Sequence, residues 1–330
     1  MTATISDVAL RSGVDEATVG RVLGAGLMDV GSGTIERILD SAEAAGFPRD
    51  RRTHLIGVLY AEESGRGLTH PYFVTILDAL KREAEEGGYD ILFINKQAVA
   101  SGASYLEHCH IHALDGVCLV CVDFASPEVR ALAAGDLPMV TLDHIYRGVP
   151  AVLSDNETGV QKLVEYAIRK GHRRIAFIHG HNNSVVTRTR IKQFYNTMAF
   201  HALPVPDEYV REGRYDEVGL TRKLVTELLN LPERPTCILL PDDIAYLGAQ
   251  DAARDMGLSV PREISFVGYD GIPLIQTLRP RLTTIRQDGE QLGQALARLL
   301  IQAIEHPGNS RHMPTIFPVE FLEGGTVAEV

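Results

Sequence analysis

No apolar run long enough to cross a bilayer, about 18 residues or more, occurs in this chain. A basic segment leading into an apolar core is also missing from the N-terminus, so no secretory signal is expected and the chain reads as cytoplasmic. Several catalytic signatures are absent: a G-x-S-x-G elbow, a glycine-rich phosphate loop with its lysine, and a His/Cys/acid cluster at metal spacing. Gly24-Ala25-Gly26 and Gly31-Ser32-Gly33 have no preceding strand and make no nucleotide fingerprint. Asp242 and Asp243 are neighbours at a helix start and diverge from each other. Catalysis is therefore disfavoured, and neither a cofactor nor a metal is expected.

Cysteine is sparse, with four residues at 109, 118, 121 and 237. Cys118-x-x-Cys121 lies in GVCLVCVDF, which reads as a buried strand over 116–122. Residues three apart on a strand point to opposite faces, so one metal could not easily use both thiols, and they read as buried structural groups. His108, His110 and His112 spread around the end of a helix, and His179-Gly180-His181 ends a strand without a further ligand.

Positive charge is scarce as well. The net charge is −11. Residues 1–48 hold three arginines against seven acids, a net of −4, and Arg49, Arg51 and Arg52 bring residues 1–52 to −2. That balance predicts weak non-specific affinity for nucleic acid, because phosphate neutralisation normally supplies most of it. Locally clustered arginines and helix N-termini can still hold phosphates.

The 330 residues, 45% of them apolar, suit a small module joined to a larger two-lobed body. The most informative stretch is TISDVALRSGVDEATVGRVLG, Thr4 to Gly24. It reads as two short helices across a tight turn. Thr4 and Asp7 have capping-box spacing, Val8 and Ala9 face inward, and Gly13 permits the left-handed residue that stops a helix. Asp15 suits the cap of the next helix, whose apolar side is Val19, Val22 and Leu23. Glu16, Ala17, Thr18, Gly20 and Arg21 face outward, where they could meet base edges. A plain helical hairpin would show the same apolar spacing.

This stretch resembles the headpiece of the lactose-repressor (LacI/GalR) family of bacterial transcription regulators. The family's pattern is close to T-I-x-D-V-A-x-x-A-G-V-S-x-x-T-V-S-R-V-L-N. Thr4, Ile5, Asp7, Val8, Ala9, Gly13, Val14, Thr18, Val19, Arg21, Val22 and Leu23 match it. DNETG at Asp155–Gly159 and RKGHRRIAFIHG at Arg169–Gly180 look like the family's central block. ISFVGYDGIPL followed by RPRLTTIRQD, within Ile264–Asp288, looks like its C-terminal block.

The resemblance implies an all-α helix-turn-helix headpiece followed by an α/β, periplasmic-binding-protein-like effector domain of two parallel sheets flanked by helices. The headpiece is expected over 1–48, with a third helix from about Thr34 to Ala45. A short basic linker follows at 49–54, and the effector and dimerisation domain spans 55–330. Lobe 1 is expected over about 55–154 and 286–313, and lobe 2 over about 155–285 and 314–323, with 315–322 read as one strand ending in lobe 2. Relatives place some ten further residues before the first body strand, as a hinge helix that wedges the minor groove. Here RDRRTH leaves no room for it, so direct docking through Arg49, Arg51 and Arg52 is the expected replacement.

Apolar strands alternate with amphipathic helices from Leu55 onward, as two parallel sheets require. In such lobes ligands bind at the C-terminal ends of strands. The resemblance places His70, Tyr72, Phe73, Asp143, Arg190, Tyr215, Asp242 and Asp270 there as effector-binding residues. His70 stands in the family's Asn-Pro-aromatic turn. Arg190 matches the arginine of the R-x-x-G-F motif, and Asp242 replaces the Asn of N-D-x-x-A-x-G. Asp143 and Asp270 could instead only cap turns. Three acids against one Arg suggest a neutral sugar or polyol, or an amine, rather than a phosphorylated compound.

The DNA-facing set is Thr4, Asp15, Glu16, Ala17, Thr18, Gly20, Arg21, Thr34, Arg49, Arg51 and Arg52. Arg21 could donate to a guanine edge, Glu16 accept from cytosine N4, and Ala17 touch a thymine methyl. Gly20, where relatives have Ser, loosens the recognition helix by up to ~1 kcal/mol. The reading is a dimeric, effector-responsive repressor of a carbohydrate-use operon, bound to pseudo-palindromic double-stranded DNA. No heptad-patterned tail suggests a tetramer, and no membrane partner is expected. The competing reading, a sugar-binding transport receptor, shares the two-lobed body but requires export and has no use for the headpiece.

Overall fold

The computed structural model describes residues 3–23, 30–47, 52–61, 66–95, 102, 104–307 and 313–330. The chain divides into two compact units, Met1–Leu55 and Ile56–Val330.

The first unit holds helices α1 (Ile5–Ser12), α2 (Glu16–Leu23) and α3 (Ser32–Ala45). The capping box forms: the Asp7 amide donates to Thr4 Oγ1 at 3.3 Å and the Thr4 amide to Asp7 Oδ2 at 2.7 Å. Gly13 takes φ 67°, and its amide closes α1 on the Ala9 carbonyl. Asp15 starts α2 by accepting from the Thr18 amide at 2.8 Å. The Gly31 carbonyl accepts from the Thr34 and Ile35 amides, so α3 begins two residues before the expected Thr34. Val8, Ala9, Val19, Val22, Ile38 and Ala42 form this unit's core, with Leu23, Ile35 and Leu39 packed against it. No helical residue is found over 52–54, and Arg49 and Arg51 lie outside the described residues.

The second unit opens with β1 (Leu55–Tyr60), α4 (Pro71–Glu86), β2 (Asp90–Phe93), α5 (Tyr105–Ile111), β3 (Gly116–Val120), α6 (Pro127–Ala133), β4 (Met139–Leu142) and β5 (Ala151–Ser154). It continues through α7 (Asn156–Arg169), β6 (Ile175–His179), α8 (Val185–Phe200), β7 (Val210–Glu212), α9 (Val218–Leu229), β8 (Cys237–Leu239), α10 (Ala245–Asp255), β9 (Ser265–Asp270) and β10 (Thr283–Arg286). Helix α11 (Gly289–Glu305), β11 (Thr315–Phe317) and β12 (Glu320–Leu322) complete it. The sheet orders are β11-β5-β4-β3-β1-β2 and β12-β10-β9-β8-β6-β7. The chain passes between the sheets after β5, after β10 and after β11.

Alternation along each strand feeds apolar layers on both faces. In β9, Phe266 joins Val225, Leu228 and Tyr246 on one side, while Val267 and Tyr269 join Phe177 and Phe194 on the other. The first lobe packs Ile56, Val58 and Val140 against Ile76, Leu80, Leu296 and Leu300. Among the described residues, no helix is long and apolar enough to cross a membrane.

Two expectations need correction. Residues 315–322 are not one strand of lobe 2. Pro318 lacks the amide that a ladder requires, and the chain changes sheets around it. β11 pairs parallel with β5 in the first sheet, while β12 pairs antiparallel with β10 in the second. The second sheet therefore carries an antiparallel edge. Nor are Cys118 and Cys121 two buried thiols of one strand. Cys118 is fully buried in β3, but β3 stops at Val120 and Cys121 turns out at φ 52°, half-buried. The short strands β5, β7 and β10 had no sequence signal beyond three or four residues each.

Gly293 marks the closest approach of α11 to α4. A Cβ there would overlap the Ile76 carbonyl oxygen and lie 2.7 Å from Ala79 Cβ. Gly219, near the start of α9, has nothing within 4 Å of its would-be Cβ. Gly293→Ala should lower the unfolding free energy by about 1–3 kcal/mol, and Gly219→Ala should raise it by up to ~1 kcal/mol. Urea midpoints measured side by side test this; shifts of the same sign would refute the close-approach reading.

Candidate functional site

The C-terminal ends of both sheets border one cavity of about 530 Å³. All eight residues expected to bind an effector line it: His70, Tyr72, Phe73, Asp143, Arg190, Tyr215, Asp242 and Asp270. The strand-to-helix turns put them there.

From the first lobe, His70 caps α4, its Nδ1 accepting from the Tyr72 amide at 3.3 Å. That acceptance leaves the proton of a neutral ring on Nε2. Phe73 packs against His70 and Tyr72, with ring centroids 4.8 and 5.0 Å away. Asp143 follows β4 at φ 59°, and its Oδ1 is buried without a hydrogen-bond partner.

From the second lobe, Arg190 points in from α8. Its Nε donates to Asn156 Oδ1 at 2.7 Å and its Nη1 to the Pro241 carbonyl at 3.2 Å. Its guanidinium lies 3.5 Å from the Tyr269 ring centroid and 5.9 Å from that of Tyr215. The Tyr215 hydroxyl is fixed to Thr187 Oγ1 at 2.8 Å. Asp270 ends β9 at φ 103° and its Oδ1 accepts from Gln287 Nε2 at 2.8 Å.

Asp242 has a different geometry from an open pocket acid. Its Oδ2 accepts from the Asp216 amide at 2.7 Å and its Oδ1 from the Ala245 amide at 2.8 Å. It pins the loop carrying Tyr215 to the start of α10. The fully buried Asp243 diverges from it, accepting from Thr284 Oγ1 and the Ile272 amide.

Burial dominates the electrostatics. It pushes the Asp270 carboxyl up to about 8; Arg190 pulls the other way, while Asp242 adds to the rise. Burial likewise takes Asp143 to about 6, with Arg190 opposing. Asp242 reaches about 6 from burial, restrained by the two amides it accepts from. At neutral pH Asp143 is therefore mostly an ionised acceptor, whereas Asp270 mostly keeps its proton and can donate.

Sequence reasoning missed part of the lining: Cys121, Asp123, Phe124, His181, Arg214, Glu217 and Gln287 also face the cavity. Phe124 lies parallel to His144 with centroids 4.3 Å apart, and the Tyr146 hydroxyl donates to the Phe124 carbonyl at 2.5 Å. Aromatics just beyond the ends of β3 and β4 were the available signal. Among the described residues, no group of three or more His, Cys, Asp or Glu could hold a metal ion.

In the first unit, Glu16, Ala17 and Arg21 are exposed on α2, while Thr18 and Gly20 are half-buried. Two of these side chains are held in place. Glu16 Oε1 accepts from Ser6 Oγ at 2.7 Å, and Arg21 Nη2 donates to Thr18 Oγ1 at 3.0 Å. Thr4 and Asp15 serve as helix caps, and Thr34 sits in the first turn of α3 within 3.4 Å of Arg37 Nη2. Arg52 is half-buried.

A family model described as periplasmic binding proteins and sugar binding domain of LacI family matches residues 53–323. The HTH-type transcriptional repressor PurR of Actinobacillus pleuropneumoniae serotype 3 is 28% identical over 314 residues, covering 92% of this chain and 91% of the relative. PurR of Mannheimia succiniciproducens is 27% identical over 324 residues, covering 96% of each. A lac repressor dimer bound to operator and the anti-inducer ONPF superposes with a TM-score of 0.74 at 24% identity, over 99% of this chain and 100% of the other. A complex of the transcriptional regulator CelR with cellobiose gives 0.75 at 22% identity, over 98% and 99%. At those identities the superpositions speak for the fold.

The raised carboxyls bear on stability. A carboxyl whose folded pKa exceeds its unfolded value binds more protons in the folded state, so its contribution is lost as pH rises through the folded pKa. For Asp270 that window runs from the ordinary carboxyl value of 3.8 up to about 8. Asp270→Asn should therefore raise the melting temperature of the ligand-free protein at pH 9 by roughly 2–4 °C, the shift that ~1 kcal/mol produces at this size. The gain should shrink toward pH 5. A gain constant with pH would contradict the assignment.

Proposed function

The chain belongs to the LacI family, and on that premise we propose that it is a cytoplasmic, dimeric, DNA-binding transcription repressor governed by a small effector, not an enzyme. The observation that carries the reading is the union in one chain of two parts. One is a capped helix-turn-helix unit; the other is a two-lobed unit with a polar cleft at its strand ends.

The chemistry of the cleft supports a neutral sugar or polyol. Asp143 offers an acceptor, Asp270 a donor, and Tyr215 an aromatic face with its hydroxyl tethered. Polyols need both donors and acceptors along an apolar ring face. A phosphorylated ligand would meet five acids, Asp123, Asp143, Glu217, Asp242 and Asp270, against Arg190 and Arg214, and the Nε and Nη1 of Arg190 are already engaged. Titration calorimetry against a sugar panel tests this; tight binding of anionic compounds alone would defeat it.

DNA reading is assigned to α2, with Arg21 on base edges, Thr4, Thr18 and Thr34 toward the backbone, and Asp15 capping the helix that carries Arg21. The tether of Glu16 to Ser6 supports a fixed register for this helix. Arg49, Arg51 and Arg52 supply the phosphate contacts that the acidic headpiece lacks. A pseudo-palindromic operator then follows from a two-fold pair. Arg21→Ala should cost about 1–3 kcal/mol of specific operator affinity without altering effector affinity. Unchanged operator binding in a gel-shift assay would count against the assignment.

We place the dimer contact on the first lobe, where β2 is the sheet edge and Leu68, Val74, Leu77 and Phe93 line an apolar groove. Phe93 is 47% exposed there. An apolar edge of this kind invites a second copy. Phe93→Glu should yield a monomer in sedimentation at concentrations where the parent is dimeric; a stable dimer would move the interface elsewhere.

A further inference from the structure

Arg66 and Asp216 meet across the cleft from opposite lobes. Arg66 stands between β1 and α4, just ahead of the 3-10 turn Gly67–Thr69, which is fastened to the first lobe by the Tyr60 hydroxyl donating to the Gly67 carbonyl at 3.0 Å. Asp216 stands between β7 and α9 in the second lobe. Arg66 Nε forms an ion pair with Asp216 Oδ2, and His70 Nε2 lies 3.9 Å from the same oxygen.

The pair is asymmetric. The Asp216 side chain is 2% exposed, whereas Arg66 is 42% exposed. Removing a cation from beside a buried carboxylate is costly, because the charge loses much of its compensation where water cannot replace it. Asp216 also sits at φ 58°, a conformation that is strained for a residue with a side chain. Its amide donates to the cavity residue Asp242, and its neighbour Tyr215 lines the same cavity.

We propose that Arg66 and Asp216 form a clasp that holds the lobes together and positions the Tyr215 loop at the ligand face. Effector affinity then depends on the fraction of molecules with the clasp made, because only those present an assembled cleft. These are positioning residues; neither lines the cavity. The role follows from the two-lobed fold and needs no particular ligand.

Full-length protein without effector or operator suffices for the test, so failure here is separable from failure of the proposed function. Arg66→Ala should speed hydrogen exchange over residues 213–219, in the lobe that does not carry the mutation, by about fivefold or more. It should also enlarge the radius of gyration measured by X-ray scattering. Asp216→Asn removes the charge while keeping a side chain that tolerates positive φ. Adding it to Arg66→Ala should move neither readout further, because the clasp is already broken. Unchanged exchange over 213–219 in Arg66→Ala overturns the clasp. So does a double variant whose effects equal the sum of the two single ones.

Discussion

Burying Arg190 is the constraint around which the body of this protein is arranged. A guanidinium cannot shed its charge, so every element near it must answer to it. Tyr269 offers a ring face, Asn156 and Pro241 offer oxygens, and the ionised Asp143 at the end of β4 supplies compensating potential. These groups come from both sheets and from the first crossing between them. Fixing one cation thus fixes the geometry of the cleft floor.

The acids respond in graded fashion. Asp242 is spent on two amides, Asp143 keeps an unpaired oxygen, and Asp270 holds a proton near neutrality. A single residue type therefore provides a structural clip, an acceptor and a donor. The headpiece follows another economy, with α2 held by short side-chain bonds rather than by a field of positive charge. The weak attraction to bulk DNA that this charge balance predicts would favour discrimination, since a repressor that binds everywhere is depleted from its own site.

Most of the fold was legible because its signals are local. The capping box at Thr4, the left-handed Gly13 and the alternation of apolar strands with amphipathic helices each sit within a few residues. The eight cleft residues were legible through motif resemblance, which carries positions but not hydrogen bonds. Nothing in the sequence distinguishes the clipped Asp242 from the open Asp143, because the difference lies in amides supplied from other loops. Cys121 was misread because a strand ends where its ladder ends, and no residue near Val120 announces that. Residues 315–322 were misread because Pro318 was passed over as a break in the strand. The Arg66–Asp216 pair was invisible, since its members are 150 positions apart in the chain.

Four side-chain-bearing residues with positive φ gather at this cleft or its edge: Cys121, Asp143, Asp216 and Asp270. Each such conformation costs of order 1–3 kcal/mol. That strain leaves less stability in reserve, and a solute that fills the cleft adds resistance to unfolding by mass action. Proteases sample the unfolded fraction. In a regulator made this way, occupancy and resistance to proteolysis would rise together, so that the amount of protein would follow the supply of its ligand more slowly than occupancy does.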